Sequence, residues 1–329
     1  MKLPVNCGSA TPWRDYSLRV SVTDRCPFRC AYCMPPGGVP LRAHADVLRY
    51  EEIAALVQLL GRVVPLGKVR LTGGEPLIRP EIEKLVGLLA RLGIPELALT
   101  TNGQLLAGLA GPLRAAGLTR INISLDSLNA QTYRQLTGNG VLARTIEGID
   151  EALRCGLAPV KLNMVVLRGV NDAEILDMVA FALARGVEVR FLEVMPIGTA
   201  APHHQKWFVP AAEVIATVEG RYPLTPITRS RGSTSRCFQV RDGACRPGRI
   251  GFISACSEPF CADCNRLRLT SDGRLLGCLA ADHGVPVRAL LAAGAEGERQ
   301  LKQAVRDILA CKKIRDTFQQ PQIMATIGG

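Results

Sequence analysis

From Ser17 to Pro196 short β-rich runs alternate with longer stretches whose apolar residues recur at helical spacing. The strand candidates are Leu18–Thr23, Lys68–Thr72, Leu97–Thr101, Arg120–Asp126, Val160–Leu167 and Val187–Val194. Helices are expected over Tyr50–Arg62, Arg79–Leu92, Leu105–Ala116, Thr145–Cys155 and Ala173–Arg185. This order predicts right-handed βαβ crossovers and a parallel α/β sheet closing into an incomplete TIM-like (β/α)6 barrel.

Parallel strands covered on both faces usually read as continuous apolar runs; these do not. Alternation with period two puts Arg19, Ser21 and Thr23 on one face, and likewise Lys68, Arg70 and Thr72. It also groups Asn122, Ser124 and Asp126, then Lys161 and Asn163, with Arg190 on the last strand. Val20, Val22, Val69, Leu71, Ile121, Ile123, Leu162 and Met164 form the opposite, apolar face, which belongs under the helices. The polar face is then the barrel interior. An unpaired cation costs several kcal/mol to bury, and Glu188 and Asp126 could neutralise only part of this set. The pattern predicts a wet cavity for a polyanion such as a nucleoside triphosphate. No G-x-x-x-x-G-K-[ST] loop occurs, so triphosphate binding would rest on side-chain cations.

Loops leaving the C-terminal strand ends build the active site of TIM-like folds. Here they carry Gly73-Gly74-Glu75-Pro76, Thr100-Thr101-Asn102-Gly103, Ser124-Leu125-Asp126-Ser127 and Met195-Pro196. Gly73 and Gly74 would let backbone approach a ligand closely, and Glu75 or nearby carbonyls could accept from an ammonium group. After a Pro-rich connector around Pro196 to Pro226 the chain changes character. The expected division is a barrel with an N-terminal extension over 1–198 and a C-terminal domain over 199–329.

The 329 residues carry a formal charge of +11. The excess includes Lys302, Arg306, Lys312 and Lys313 on helical faces without interleaved aromatics, which reads as a solvated basic face rather than a nucleic-acid site. No apolar run is long enough to cross a bilayer and the N-terminus lacks secretory signal order, so the cytoplasm is expected. In a reducing compartment 12 cysteines suggest metal or cluster ligation more than disulfides. Cys7, Cys155, Cys237, Cys245 and Cys311 are scattered and read as ordinary.

Cys26, Cys30 and Cys33 are not scattered. Their C-x-x-x-C-x-x-C spacing supplies three corners of a [4Fe–4S] cluster and leaves one iron open for a ligand. With Tyr32 before the last cysteine, the motif resembles that of the radical S-adenosylmethionine (SAM) enzymes. Cys261, Cys264 and Cys278 form a second trio; with Cys256 upstream, spacing alone serves zinc and a cluster equally.

The surroundings favour a cluster. The run Phe260 to Cys278 resembles the second-cluster segment of the GTP 3′,8-cyclases, which open molybdenum cofactor biosynthesis. Lys68–Pro76, Asn122–Asp126, Glu193–Gly198 and the ending Met324–Gly329 match as well, in order along nearly the whole chain. Pro27 in place of a common Asn, Leu279-Ala280 in place of Leu-Phe, and Cys256 are departures. The resemblance implies a lyase that converts GTP to (8S)-3′,8-cyclo-7,8-dihydroguanosine 5′-triphosphate. It implies two [4Fe–4S] clusters and SAM, with a 5′-deoxyadenosyl radical taking the C3′ hydrogen. It assigns Tyr32, Gly74, Ser124, Asn163 and Met195 to SAM, and Arg19, Lys68, Arg70, Thr101, Lys161, Arg190, Arg266 and Arg268 to GTP. Catalytic roles fall on Arg19, Arg266, Arg268, Gly328 and Gly329. Expected partners are GTP, an external electron donor and a downstream cyclic pyranopterin monophosphate synthase, with no nucleic acid or membrane; a homodimer is allowed. A peptide-modifying radical SAM enzyme and a zinc-containing nucleic-acid-binding protein are the competing readings.

Overall fold

The computed structural model describes residues 15–241, 247–281, 284–310, 312 and 324; Lys313, Gly328 and Gly329 lie outside them. Six strands follow the predicted order: β1 (Tyr16–Ser21), β2 (Leu66–Thr72), β3 (Glu96–Thr101), β4 (Arg120–Ser124), β5 (Val160–Val166) and β6 (Glu188–Glu193). Each pairs in parallel with the next. Between them run α1 (Tyr50–Val63), α2 (Ile82–Ala90), α3 (Leu106–Ala115), α4 (Ala130–Thr137), α5 (Leu142–Arg154) and α6 (Ile175–Arg185).

The apolar parity of each strand faces these helices. Leu18, Val20, Val69, Leu71, Ile121, Ile123 and Leu162 are fully buried, as are Ile53, Leu85 and Ile149 on the helices packed against them. Burying each such side chain contributes about 1.5–3 kcal/mol. The extra helix α4 escapes the sequence pattern because it is short; Asn129 starts it by accepting from the N–H groups of Gln131 (2.9 Å) and Thr132 (3.0 Å).

The later chain joins the same sheet. Beyond β6 come β7 (Leu224–Ile227), β8 (Arg236–Val240), β9 (Gly248–Ile253), β10 (Arg266–Leu269), β11 (Arg274–Leu276) and β12 (Val285–Pro286). Strand β9 extends the parallel set beside β6, and β10 extends it beside β1. The order is β12-β11-β10-β1-β2-β3-β4-β5-β6-β9-β8-β7, so residue 198 marks no break in the sheet. Nor is the stretch from Pro196 to Pro226 only a connector: it includes a helix, Ala211–Glu219, docked through Val214 and Val218.

One carboxylate stitches this junction. Glu193, at the end of β6, is buried and accepts from the N–H groups of Ala211 (2.8 Å), Cys256 (2.8 Å) and Ser257 (2.9 Å), and from the Ser257 hydroxyl. Removing it takes a charged acceptor from the buried Ala211 N–H and from the part-buried donors of Cys256 and Ser257, each such bond contributing about 1.5–3 kcal/mol. Glu193→Ala is expected to lower unfolding stability by roughly 3 kcal/mol or more, read from a denaturant midpoint; a loss below about 1 kcal/mol would contradict this account.

Candidate active site

The polar strand faces enclose a cavity of about 620 Å3. At its C-terminal end Cys26, Cys30 and Cys33 line the wall. Their loop is pinned on two sides. Arg29 and Ala31 donate their N–H groups to the carbonyls of Thr137 (2.8 Å) and Leu136 (3.0 Å) at the end of α4, while Gly74 and Glu75 donate theirs to Thr23 (2.7 Å) and Arg25 (2.8 Å).

The glycines line the cavity and also make room for the cysteine loop. A Cβ at Gly74 would lie 2.2 Å from the Arg25 carbonyl oxygen, and Gly73, at φ +153°, would place one 2.6 Å from that of Thr23. Their close approach is to the cysteine loop itself. Glu75 is likewise committed: its buried carboxylate accepts from Leu77 N–H (2.9 Å), the Thr101 hydroxyl (2.7 Å) and Asn102 N–H (2.7 Å). Burial pushes it up to about 7 against these donors. The Thr101 hydroxyl also accepts from Gly103 N–H at 3.0 Å, so it acts as a strut between loops.

Asp126 does not neutralise the barrel cations. It accepts from the Tyr32 hydroxyl at 2.6 Å and from Val165 N–H at 2.8 Å, fastening the aromatic residue of the cysteine motif to β4 and β5. The residues that do balance the cations stand at strand starts. Glu188 meets Lys161 (2.7 Å), Arg190 (2.6 Å) and Arg249 (3.3 Å), and Glu96 meets Arg120 (2.5 Å) and Lys68. Glu96 and Arg120, unassigned from sequence, share parity with Ala98 and Asn122; carrying the period-two count one step further back along each strand finds both.

Positive charge remains in excess. Arg19 pairs in register with Arg268 on one side and Arg70 on the other, and among the described residues neither Arg19 nor Arg70 has a carboxylate partner. Burial, then neighbouring arginines, depress their guanidinium groups, Arg70 to about 9. Burial and Arg266 take Arg268 to about 10. All stay charged at neutral pH. Burial and Arg70 take Lys68 down to about 7, and burial and Arg190 take Lys161 to about 8, despite their carboxylates. Buried polar atoms without a hydrogen-bond partner also remain, Arg70 Nε, Arg266 Nε, Asn122 Nδ2 and Asn163 Oδ1 among them. Such atoms mark a site built for a ligand.

Of the residues singled out from sequence, Arg19, Tyr32, Lys68, Arg70, Gly74, Thr101, Ser124, Lys161, Asn163, Arg190 and Arg266 line this cavity with the first cysteines. Arg268 is buried beside the lining residue Arg19, its register partner. Met195 packs instead beside Ile197 and Ala280, with Cys261 and Cys278. Cys264 is influenced by Arg266 and Lys312, and Lys312 by both Cys264 and Cys278. Lys312 is therefore no part of a solvated face: its Nζ donates to the Arg266 carbonyl at 2.7 Å, whereas Lys302 and Arg306 are exposed. Cys256 turns its Sγ to the Val194 carbonyl at 3.6 Å. Among the described residues no three His, Cys, Asp or Glu side chains gather tightly enough to hold a single metal ion.

The first trio fits a multinuclear cluster. Burial raises Cys26 to about 11, and burial and then Cys33 raise Cys30 well above the usual thiol range. Desolvated thiols at Cys26 and Cys30, the latter opposed by both neighbouring cysteines, suit a compact polycation, which deprotonates thiols it binds.

A parallel barrel with three such thiols at its strand ends is the architecture of the radical SAM enzymes, and the signature of the Radical SAM superfamily matches residues 20–182. That of Molybdenum Cofactor Synthesis C matches residues 187–318. The GTP 3′,8-cyclase of Moorella thermoacetica is 43% identical over 95% of this chain and 97% of its own length. That of Pseudomonas putida GB-1 is 44% identical over 93% and 90%. The chain belongs to the GTP 3′,8-cyclase family. Among solved structures, Streptococcus suis SuiB bound to precursor peptide SuiA superposes with a TM-score of 0.62 at 14% identity, covering 88% of this chain and 66% of SuiB. At that identity the likeness concerns the fold alone.

The Gly74 contact is open to test. Gly74→Ala forces its Cβ against Arg25 and displaces the first cysteine loop but not the second trio. Iron and sulfide in the anaerobically reconstituted protein are expected to fall from two clusters toward one; full occupancy of both would contradict the clamp.

Proposed function

We propose that this protein is a radical SAM lyase converting GTP to (8S)-3′,8-cyclo-7,8-dihydroguanosine 5′-triphosphate in molybdenum cofactor biosynthesis. The observation that carries the reading is the surplus of buried cations in a cavity whose other end holds three cysteine thiols. Cys26, Cys30 and Cys33 would hold one [4Fe–4S] cluster, and Cys261, Cys264 and Cys278 the other. When bound, SAM would supply a 5′-deoxyadenosyl radical able to take the C3′ hydrogen of GTP, which would let C3′ bond to C8 of the guanine.

The protein's own work is positioning and exclusion of water. Lys68, Arg70, Lys161 and Arg190 take the triphosphate. Arg19, Arg266 and Arg268 hold the nucleotide between the two cysteine sets and balance charge or deliver a proton as the purine is reduced. Asn163 Oδ1, buried without a partner, and Ser124 beside it in register offer polar contacts to SAM. Met195, on the Ile197 side, completes the SAM contacts as its neighbours close in. Gly328 and Gly329 supply a tail without side chains that a crowded site can admit.

Residues 1–198 serve as the radical-generating barrel, which also grips the triphosphate, and 199–329 as the part that carries the second cluster and the Gly-Gly tail. Twelve cysteines suit the reducing cytoplasm, and among the described residues no helix is long and apolar enough to cross a membrane. An external reductant supplies two electrons, one to cleave SAM and one that, with a proton, quenches the radical left on the cyclised purine; the product passes to cyclic pyranopterin monophosphate synthase, and a homodimer is compatible with the chain. A peptide substrate would leave the cationic wall unexplained.

Anaerobic reconstitution followed by mass spectrometry tests the reading: 5′-deoxyadenosine should form with SAM, reductant and GTP together, and GTP omission should abolish it. Turnover supported by a peptide but not by GTP would overturn it.

The lysines give a pH signature. A triphosphate prefers the protonated amines and raises their pKa, so its attraction is complete below their free values and fades as pH rises through them. With Lys68 near 7 and Lys161 near 8, the Kd for GTP is expected to rise steadily from pH 7 to 9 in equilibrium dialysis, with proton uptake on binding. An unchanged Kd across that window would contradict lysine engagement.

A further inference from the structure

One register row crosses five strands. Arg268 on β10 pairs with Arg19 on β1, Arg19 with Arg70 on β2, Arg70 with Ala98 on β3, and Ala98 with Arg120 on β4. Adjacent strands lie about 4.8 Å apart, and like charges in direct lateral register repel. Four of the five positions are arginine, and the fifth is a buried alanine that leaves room beside them.

Arg120 lines the cavity and is only partly committed. One Nη1 meets Glu96 at 2.5 Å, while its Nε is buried with no hydrogen-bond partner. Lys68 shares that carboxylate, so Arg120 is not its sole cation. Burial opposes ionisation of Glu96, yet Lys68 and Arg120 hold it below the usual carboxylate range, so it stays charged. Arg120 therefore keeps a guanidinium on the cavity wall of which only Nη1 is given to a carboxylate and Nε has no partner among the described residues. A guanidinium offers five donors in a fixed fork suited to phosphate oxygens.

We propose that Arg120 is a further binding residue for the substrate's phosphate chain, the far arm of the arginine row, poised by Glu96. The inference rests on the GTP reading above. It adds a nucleotide contact on β4, opposite the arm formed by Arg19 and Arg268. A triphosphate would then be gripped from β1 and β2 on one side and from β4, through Arg120, on the other. Glu96 holds the guanidinium in position through Nη1 and leaves the rest of the fork uncommitted to it. Arg120 thereby contributes to discrimination by phosphate number and leaves the guanine end untouched.

The test uses full-length, anaerobically reconstituted protein and equilibrium dialysis with GTP and with guanosine. Arg120→Ala is expected to weaken GTP binding by about 10- to 100-fold, the loss of a charged hydrogen-bond partner, and guanosine binding by less than about twofold. Arg120→Lys should fall between the two proteins, and it serves if the alanine variant fails to hold its clusters. The same substitution in a Glu96→Gln background separates contact from scaffolding. A loss of GTP affinity that persists there supports direct contact. A loss that disappears there, or that is equal for GTP and guanosine, overturns the proposal. Failure of the unsubstituted protein to bind GTP would instead sink the underlying functional reading.

Discussion

Repulsion among desolvated cations on one face of a parallel sheet is the constraint around which this molecule is arranged. Arg268, Arg19, Arg70 and Arg120 stand on one register row with only Ala98 interposed, and Lys68, Lys161 and Arg190 line the same cavity. Each cation removed from water costs several kcal/mol unless paired. Glu96 and Glu188 answer for some of them. The rest is borne by the reverse face, where Leu18, Val20, Val69, Leu71 and Ile123 are wholly buried beneath the helices. The fold holds open a field that a polyanion relieves, so the strain of the free state becomes selectivity in the bound one.

Acidic residues divide into two populations by position along the strands, and the division has a physical cause. At the strand starts Glu96 and Glu188 face side-chain cations and neutralise them. At the strand ends the chain leaves the ladder, and loop N–H groups lose their regular acceptors. There Glu75 accepts from Leu77 and Asn102, Asp126 from Val165 and Tyr32, and Glu193 from Ala211, Cys256 and Ser257. These carboxylates hold loops still. Since the cysteines sit on such a loop, the thiol geometry depends on acids that touch neither one another nor the barrel cations.

What sequence made legible was whatever depends on neighbours along the chain. Period-two alternation separated Arg19, Arg70, Lys161 and Arg190 from their apolar neighbours, and helical spacing located most of the crossover helices. Partner choice was hidden, because it depends on which strands pair and in which register. Asp126 was expected to neutralise cations; instead it belongs to Tyr32, 94 positions away. The crowding of Gly73 and Gly74 by Thr23 and Arg25 was hidden for the same reason, since it depends on how the two loops meet. The placing of β9 and β10 at opposite edges of the parallel set was equally invisible, since short strands beyond a Pro-rich stretch carry no local mark of where they dock.

That placement decides how the two cysteine trios relate. Strand β10 begins two residues after Cys264 and pairs with β1, while the first trio follows β1 by a few residues at its other end. Arg266 sits opposite Ser17 and Arg268 opposite Arg19, so both arginines take their positions from backbone hydrogen bonds rather than from a hinge between domains. Lys312 reinforces the join through the Arg266 carbonyl. A substrate lying between the trios would thus span one continuous hydrogen-bonded sheet. The reach from a first-cluster ligand to a second-cluster ligand is set by strand length and register, quantities that thermal motion alters far less than an interdomain angle. For chemistry in which a carbon radical must meet one hydrogen and then one ring carbon, rigidity of that kind is the contribution the fold can make.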